Sequence, residues 1–514
     1  MAALKGRRRA AAYAVFGLAV SGACVALCRR TAPRPPTGGD PGVFDLYLVG
    51  ESTMHGGPFD TDSGYSPDQL ISKMFDGRIG GRRIVPHVIA QGGESIYPQA
   101  FALEQALRGR DPRRPGAMLL YSGHNDAMYR SHDALLEAVK EDFIFRVPIL
   151  SRLWFRGEKD GAVPRVRTLR GYEYHLGRIV AASRKAGLTP ILTTVVGNVS
   201  DVDPGLYATP DLPSAPDIVR LLEMGEKLET EGRFQRALDY YAGVGLRFPG
   251  LARYLHYPMA RTREAAGDYA QARSGYWDAI DQEPREPDPT MGQMAFLRAR
   301  RPQNEAVRRV ARSTGALLVD AVAEFDRRSP HGITGSELII DGQHPTMEGH
   351  RILAEAYALA LSKAFGEPLR RRFSSEEEAL RALGYGPQDV AKADEKSAVW
   401  MLSVSSMHLY PKSRLVLARR RFEEALAVDP GSPSILLGLA FVEAGLHGYF
   451  QDAEDLKWFD SKGLFYSDKL AIPAAELPAL LRELRVYGVS PGLLERVEDA
   501  YRRRPPQARP VVSR

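Results

Sequence analysis

The chain has 514 residues, 44% apolar and 26% charged, which is enough apolar surface for real cores and excludes wholesale disorder. Its net charge is only +6, from 69 basic against 63 acidic residues; the arginines are spread along it without a zinc-finger, RRM or KH signature, so no nucleic acid partner is expected. The two cysteines, Cys24 and Cys28, lie in an apolar N-terminal stretch, which excludes a disulfide framework and a thiolate metal site in the body.

Residues 1–9 carry Lys5, Arg7, Arg8 and Arg9, and residues 10–28 are uncharged. As a helix such a segment spans about 28 Å, close to the ~30 Å hydrocarbon core. The basic cluster ahead of it predicts a transmembrane signal anchor, with residues 1–9 cytoplasmic and the body extracytoplasmic. A cleaved signal peptide, on the small residues Ser21-Gly22-Ala23, is the alternative, and a lipid-modified cysteine is a third. A Pro-rich linker fills 29–42.

From residue 43, short apolar runs alternate with helical stretches. Strands are predicted at 43–50, 82–93, 116–126, 189–198 and 315–321. Helices are predicted from about 131, over 171–187 and over 304–314. This alternation argues for a parallel sheet covered on both faces, with ligands at the C-terminal strand ends. The first three strands run into Gly50-Glu51-Ser52, Gly92-Gly93-Glu94-Ser95 and Gly123-His124-Asn125-Asp126, so chemistry is expected in those turns.

Residues 216–290 break the alternation as a helical insertion. Gly225, Gly232, Phe234, Ala237, Tyr241 and Pro249 recur about 35 positions later as Ala260, Gly267, Tyr269, Ala272, Tyr276 and Pro284. This spacing resembles the tetratricopeptide repeat, in which small residues let paired helices pack closely. Two units are marginal alone, so the insertion is expected to lean on the main domain. It follows the fourth strand and is expected to overhang the cleft. Residues 371–502 form a second helical region, partly of the same pattern (Ala418, Phe422, Ala425 and Pro430), opened by a capping box of Ser375 and Glu378. A disordered tail is expected over 503–514.

One further segment carries Asp341 and His344, spaced DxxH, just before the last helix of the α/β part. A neutral serine such as Ser52 is a weak nucleophile and needs an adjacent base. His344 is the candidate base, and Asp341 can orient its imidazole. Taken in order, the GES, GGES, GHND and DGQH blocks resemble the SGNH/GDSL hydrolase superfamily, over about 43–215 and 291–365. The resemblance implies a flavodoxin-like three-layer α/β/α fold, interrupted by the helical-repeat insertion and followed by the C-terminal helical region. It implies an acyl-enzyme on Ser52 and an oxyanion hole from the N–H groups of Ser52 and Gly93 and the side-chain amide of Asn125. Gly93 rather than Gly92 matches because it directly precedes Glu94-Ser95. The usual block-one aspartate is Glu51 here, outside the chemistry. The usual block-two asparagine is missing, with Ala90 and Gln91 nearby.

His55, just past Ser52, is a candidate substrate contact. His87 is placed ahead of a strand, His124 is given no role, and Asp320 braces a loop. No HExxH or paired histidines occur, so neither metal nor cofactor is expected. The reading is a membrane-anchored ester hydrolase acting on an acylated small molecule, lipid or carbohydrate. The helical repeats offer a surface for a protein partner, and the N-terminal helix engages the membrane. An O-acyltransferase using the same site on a cell-surface polysaccharide is the first alternative. A catalytically silent scaffold binding through its repeats is the second.

Overall fold

The computed structural model describes residues 42–58, 65–126, 169–206, 212–283, 298–405, 408–449 and 469–503. The expected anchor with both cysteines, the helix expected near 131, Pro284 and the tail from 504 lie outside these residues.

Val43–Gly50 (β1) is buried along its whole length, as a strand covered on both faces must be. It pairs in parallel with Arg82–Val88 (β3) on one side and Gly116–Tyr121 (β4) on the other. Thr189–Thr193 (β5) and Leu317–Val319 (β6) extend the sheet in parallel beyond β4. The two-residue strand Arg78–Ile79 (β2) turns back on β3 as an antiparallel hairpin. The order is β2-β3-β1-β4-β5-β6. Chain direction out of β1 therefore reverses between β3 and β4, which opens a crevice at the C-terminal end of β1. β2 was not foreseen, because two residues carry no periodicity. The predicted runs after β1 overshoot: the strands end at Val88, Tyr121, Thr193 and Val319, and the residues beyond form the turns.

Side chains of β1 alternate between two apolar clusters. Phe44, Leu46 and Leu48 meet Leu70, Ile71 and Met74 of the helix Pro67–Met74 and Ile352, Tyr357 and Leu361 of Met347–Phe365. Tyr47 and Val49 meet Leu103 of Ile96–Ala106, Ile179 of Leu169–Lys185 and Val307 of Arg301–Thr314. Helices thus cover both faces of this mixed, mainly parallel sheet. The polar exception in β1 is Asp45, fully buried at the end remote from the crevice. Its carboxylate accepts from Arg110 Nε (3.0 Å) and Arg114 Nε (2.6 Å), and pairs with His87 Nε2 (2.9 Å). His87 lies inside β3, not ahead of a strand, and stacks on Tyr47.

The insertion is four consecutive helices, Ala215–Thr230, Phe234–Arg247, Pro249–Ala265 and Tyr269–Gln282. The second and fourth begin and end 35 residues apart (234 to 269, 247 to 282). The repeat extends to a hydrogen bond: Tyr241 Oη donates to Glu229 (2.8 Å) and Tyr276 Oη to Glu264 (2.6 Å). Gly225 is glycine for space, since a Cβ there would stand 2.2 Å from Cζ of Tyr241. The first pair and the start of the third helix share a core, which includes Leu222, Tyr241, Leu251 and, from the C-terminal region, Tyr410. The second pair gives Tyr257, Tyr276, Trp277 and Ile280 to the main cluster, so the insertion does lean on the body.

The C-terminal region comprises Glu376–Leu383, Pro387–Ser405, Lys412–Val428, Pro433–Leu446, Leu477–Val486 and Pro491–Arg503. Phe422 packs against Gly438 as Tyr241 does against Gly225. The expected capping box is half made. Ser375 Oγ accepts from the Glu378 N–H (3.3 Å), but the Glu378 carboxylate takes the N–H of Ser374 (2.8 Å) instead of that of Ser375.

Body, insertion and C-terminal region meet around four buried charges. Arg298 donates to the carbonyls of Asn198 and Val202 (both 2.7 Å) and faces Glu283. Arg414 pairs with Asp203 (3.1 Å) and faces Glu283, which accepts from the Gly205 N–H (2.8 Å). The two positive and two negative groups face each other at one junction.

Candidate active site

At the C-terminal end of β1 the chain has no room for a side chain. A Cβ on Gly50 would lie 2.3 Å from the Tyr121 carbonyl oxygen and 2.7 Å from Met54 Cγ. Glycine there lets the strand turn at once into the short helix Ser52–His55, with Glu51 at its N-cap. Ser52 opens that helix, so its N–H belongs to the first turn, whose donors have no intrahelical acceptor.

Ser52 Oγ lies 2.7 Å from His344 Nε2, although 292 residues separate them. His344 Nδ1 lies 2.7 Å from Asp341 Oδ2. Asp341 Oδ1 accepts from the backbone N–H groups of Gln343 (2.8 Å) and His344 (2.9 Å), so the DxxH turn holds its own carboxylate. Asp341 is buried (2% exposed) and His344 nearly so (6%). Burial works against the Asp341 charge, but the imidazole and the two N–H groups outweigh it and hold the group below the ordinary carboxylate range. An ionised carboxylate only accepts, so Nδ1 carries the proton and donates to Asp341. That leaves the Nε2 lone pair for the hydroxyl of Ser52.

Gly93 sits exposed in the turn after β3 with φ +77°, and nothing lies within 4 Å of where its Cβ would be. A Cβ on Gly92 would stand 3.9 Å from Ser52 Cβ, so this turn borders the serine. Asn125 follows β4; one N–H of its amide donates to the Glu94 carbonyl (3.0 Å), which ties the third turn to the second.

Glu51 does more than the sequence suggested. It is buried (1% exposed), and its Oε1 accepts from the Gly123 N–H (2.6 Å), the Asn125 N–H (3.2 Å) and Ser122 Oγ (3.3 Å). The residue before Ser52 therefore pins the loop that carries Asn125. Burial first, and the neighbouring Asp126 carboxylate second, push Glu51 up to about 8 against the pull of those donors. Asp126 in turn accepts from the Ile96 N–H (2.9 Å), at the start of the helix that follows the GGES turn. Glu51's place directly before Ser52 was the available signal.

The other histidines sort by contact. His124 is buried; its Nδ1 accepts from the Ala299 N–H (3.1 Å), which joins the third turn to the segment returning from the insertion. His55 is exposed at the end of the short helix. Asp320 caps Ala321–Arg328 and pairs with Arg308 (2.9 Å) and Thr194 Oγ1 (2.9 Å), a bracing role as expected. Sequence reasoning missed Trp400, on Pro387–Ser405, whose ring stands at 90° to that of His344, centroids 6.1 Å apart. Insertion residues instead contact the 200–205 and 326–331 segments: Tyr257 Oη donates to the Ser200 carbonyl (2.6 Å), Arg273 pairs with Asp326, and Tyr269 stacks on His331. A cavity of about 450 Å³ between body and C-terminal region is lined by Ile340, Met347, Val390, Asp394 and Arg421 among others. Its lining includes none of Ser52, Asp341 and His344, so it is separate from the serine crevice.

No family model and no curated protein matches the chain. Among solved structures it is similar to LAE5, described as an α/β hydrolase from the metagenome of Lake Arreo, Spain, at 16% identity and TM-score 0.28, over 62% of this chain and 95% of that one. It is also similar to a mutant of Axe2, an acetyl-xylooligosaccharide esterase from Geobacillus, at 16% identity and TM-score 0.28, over 67% of this chain and 95% of that one. Likenesses at this level carry no argument about the reaction, which is read from the geometry alone.

Proposed function

We propose that the chain is a serine ester hydrolase of the SGNH/GDSL type, built on that superfamily's flavodoxin-like three-layer fold and acting through an acyl-Ser52 intermediate. The observation that supports this is the unbroken chain Ser52 Oγ–His344 Nε2, His344 Nδ1–Asp341 Oδ2, both links 2.7 Å, at the crevice of the sheet. Ser52 Oγ attacks the ester carbonyl carbon while its proton passes to His344 Nε2. Asp341 stabilises the imidazolium. The carbonyl oxygen becomes an oxyanion, for which the Ser52 and Gly93 N–H groups and the second N–H of Asn125 are the assigned donors. Collapse expels the alcohol, which takes the proton from Nε2. Water, deprotonated by His344, then releases the acid and restores Ser52. The apolar segment 10–28 is assigned as a tether holding this body on the extracytoplasmic side, and the paired helices as tetratricopeptide-like repeats.

A fluorophosphonate probe tests the reading. The wild type should be labelled at Ser52, and Ser52→Ala should lose both labelling and esterase activity with unchanged circular dichroism. Loss of such a nucleophile costs on the order of 10⁴–10⁶-fold in rate. Turnover by Ser52→Ala above a few per cent of wild type would remove the assignment.

A further inference from the structure

Exposed arginines gather at the end of the sheet remote from Ser52. Arg83 lies beside the start of β1: its N–H donates to the Gly42 carbonyl (2.8 Å), and its register partner there is Val43. Across the β2–β3 hairpin Arg83 stands directly opposite Arg78, with Arg82 exposed beside them. Like charges opposed in this way destabilise a hairpin. The segment after Met347–Phe365 adds Arg370, Arg371 and Arg372, all exposed. It is fixed to the same edge. The N–H groups of Arg370 and Arg371 donate to the Met74 carbonyl (2.9 and 3.1 Å), and that of Gly80 donates to Glu367 (3.2 Å).

Acids offset this charge only in part. Asp76 is exposed on the turn before β2, Glu367 pairs with Arg370 (2.9 Å) and Glu355 stands 3.6 Å from Arg372. Arg78, Arg83 and Arg371 form no ion pair with any described residue. Helix ends do not account for them either. A cation is favoured in the last turn of a helix, whereas these arginines lie on a hairpin and on a segment beyond a helix.

The same edge receives the N-terminal segment. Residues 29–42 join the apolar stretch 10–28 to β1. Fully extended, such a linker reaches about 50 Å at most. A short tether makes even a weak attraction effectively intramolecular. Each arginine near an anionic lipid surface strengthens binding about fivefold. β1 has eight residues and so spans roughly 26 Å, which sets the crevice at Ser52 well away from this edge.

We propose that the arginine edge around Gly42, Arg78, Arg83 and Arg371 docks on anionic phospholipid headgroups of the leaflet from which the tether emerges, so that the crevice of Ser52 faces away from the bilayer. It rests on the assignment of residues 10–28 as the tether and is independent of the chemistry at Ser52.

Hydrogen exchange of the full-length chain in nanodiscs tests this. Discs of phosphatidylcholine alone are compared with discs that also contain phosphatidylglycerol. Amides of 78–83 and 369–372 should exchange more slowly in the anionic discs. High salt should remove the difference, because it screens the headgroup charge. The 92–95 turn, beyond the other end of β3, should exchange alike in both. A variant carrying Arg78→Gln, Arg83→Gln and Arg371→Gln should dock about a hundredfold more weakly, at fivefold per charge, with unchanged circular dichroism. Equal exchange in the two kinds of disc, protection that survives high salt, or protection that the variant retains would overturn the docking. Slowing at 92–95 instead would reverse the orientation and overturn it as well. Protection that follows protein density and not lipid charge would overturn it in favour of a contact between copies of the chain. A chain that carbonate washes off the discs would overturn the tether, and this proposal with it.

Discussion

The insertion and the C-terminal region are built by the same rule and used differently. Each packs an aromatic ring onto a glycine of a neighbouring helix, Tyr241 on Gly225 and Phe422 on Gly438. Each has its own apolar cluster. Yet the insertion docks on the 200–205 and 326–331 segments, while the C-terminal region sends Trp400 to His344. A helix-pair pattern encodes how helices pack on each other. Where the pair docks depends also on side chains outside the pattern, among them Asp203, Glu283, Arg298 and Arg414.

The strongest way to break the comparison is at that junction. Arg414→Ala leaves the buried Asp203 and Glu283 facing Arg298 alone. Removing one partner of a buried pair typically costs about 3–5 kcal/mol. Chemical denaturation should show a loss of that size, with both helical regions loosened together in hydrogen exchange. A loss confined to residues after 408 would mean that the insertion docks independently.

The second test separates the serine site from the helical regions by pH. Glu51 holds its proton up to about 8 in the folded protein, against 4.5 for its ordinary value. The folded state therefore binds the extra proton between those values. Its contribution to stability is present at the acid end and is lost as pH rises toward 8. Glu51→Gln keeps an oxygen for the Gly123 and Asn125 N–H groups and removes the titration. The variant should lose the decline in melting temperature between about pH 5 and 8. An unchanged slope would assign the pH dependence to other buried carboxylates, such as Asp203 at the junction.

Two glycines of the insertion sharpen the packing rule. Gly225→Ala forces a methyl into Tyr241 and should cost about 1–3 kcal/mol. Gly243→Ala, on the exposed side of the next helix with nothing within 4 Å of its Cβ position, should stabilise by about 0.5–1 kcal/mol. Thermal melts that move the same way for both would remove the close-approach explanation.

The smallest effect is expected where the two regions touch at the surface. Lys412 pairs with Glu226 there, and both regions contribute to the contact. Exposed pairs contribute about 1 kcal/mol or less, so Lys412→Ala should change stability by no more than that. A larger loss would make this contact, instead of the Arg414 network, the main link between insertion and C-terminal region.

The α/β order, the 35-residue offset and the residues of the Ser52–His344–Asp341 contacts were legible in the sequence, because each is a local signal. A buried strand is a continuous apolar run, a turn at a strand end needs glycine, and helix pairs repeat their small residues. Ser52 and His344 could be matched across 292 residues only because each sits in its own short block. What the sequence did not carry were contacts between separate elements. Glu51 read as a conservative change, but its role comes from the N–H groups of a loop more than 70 residues away. The overshoot of the strands has the same origin: pairing ends where the neighbouring strand ends, and that is a property of the sheet. Trp400 had no local signal at all, since an aromatic on a helix reads as core until the helix is docked. Only tertiary packing placed that ring beside His344.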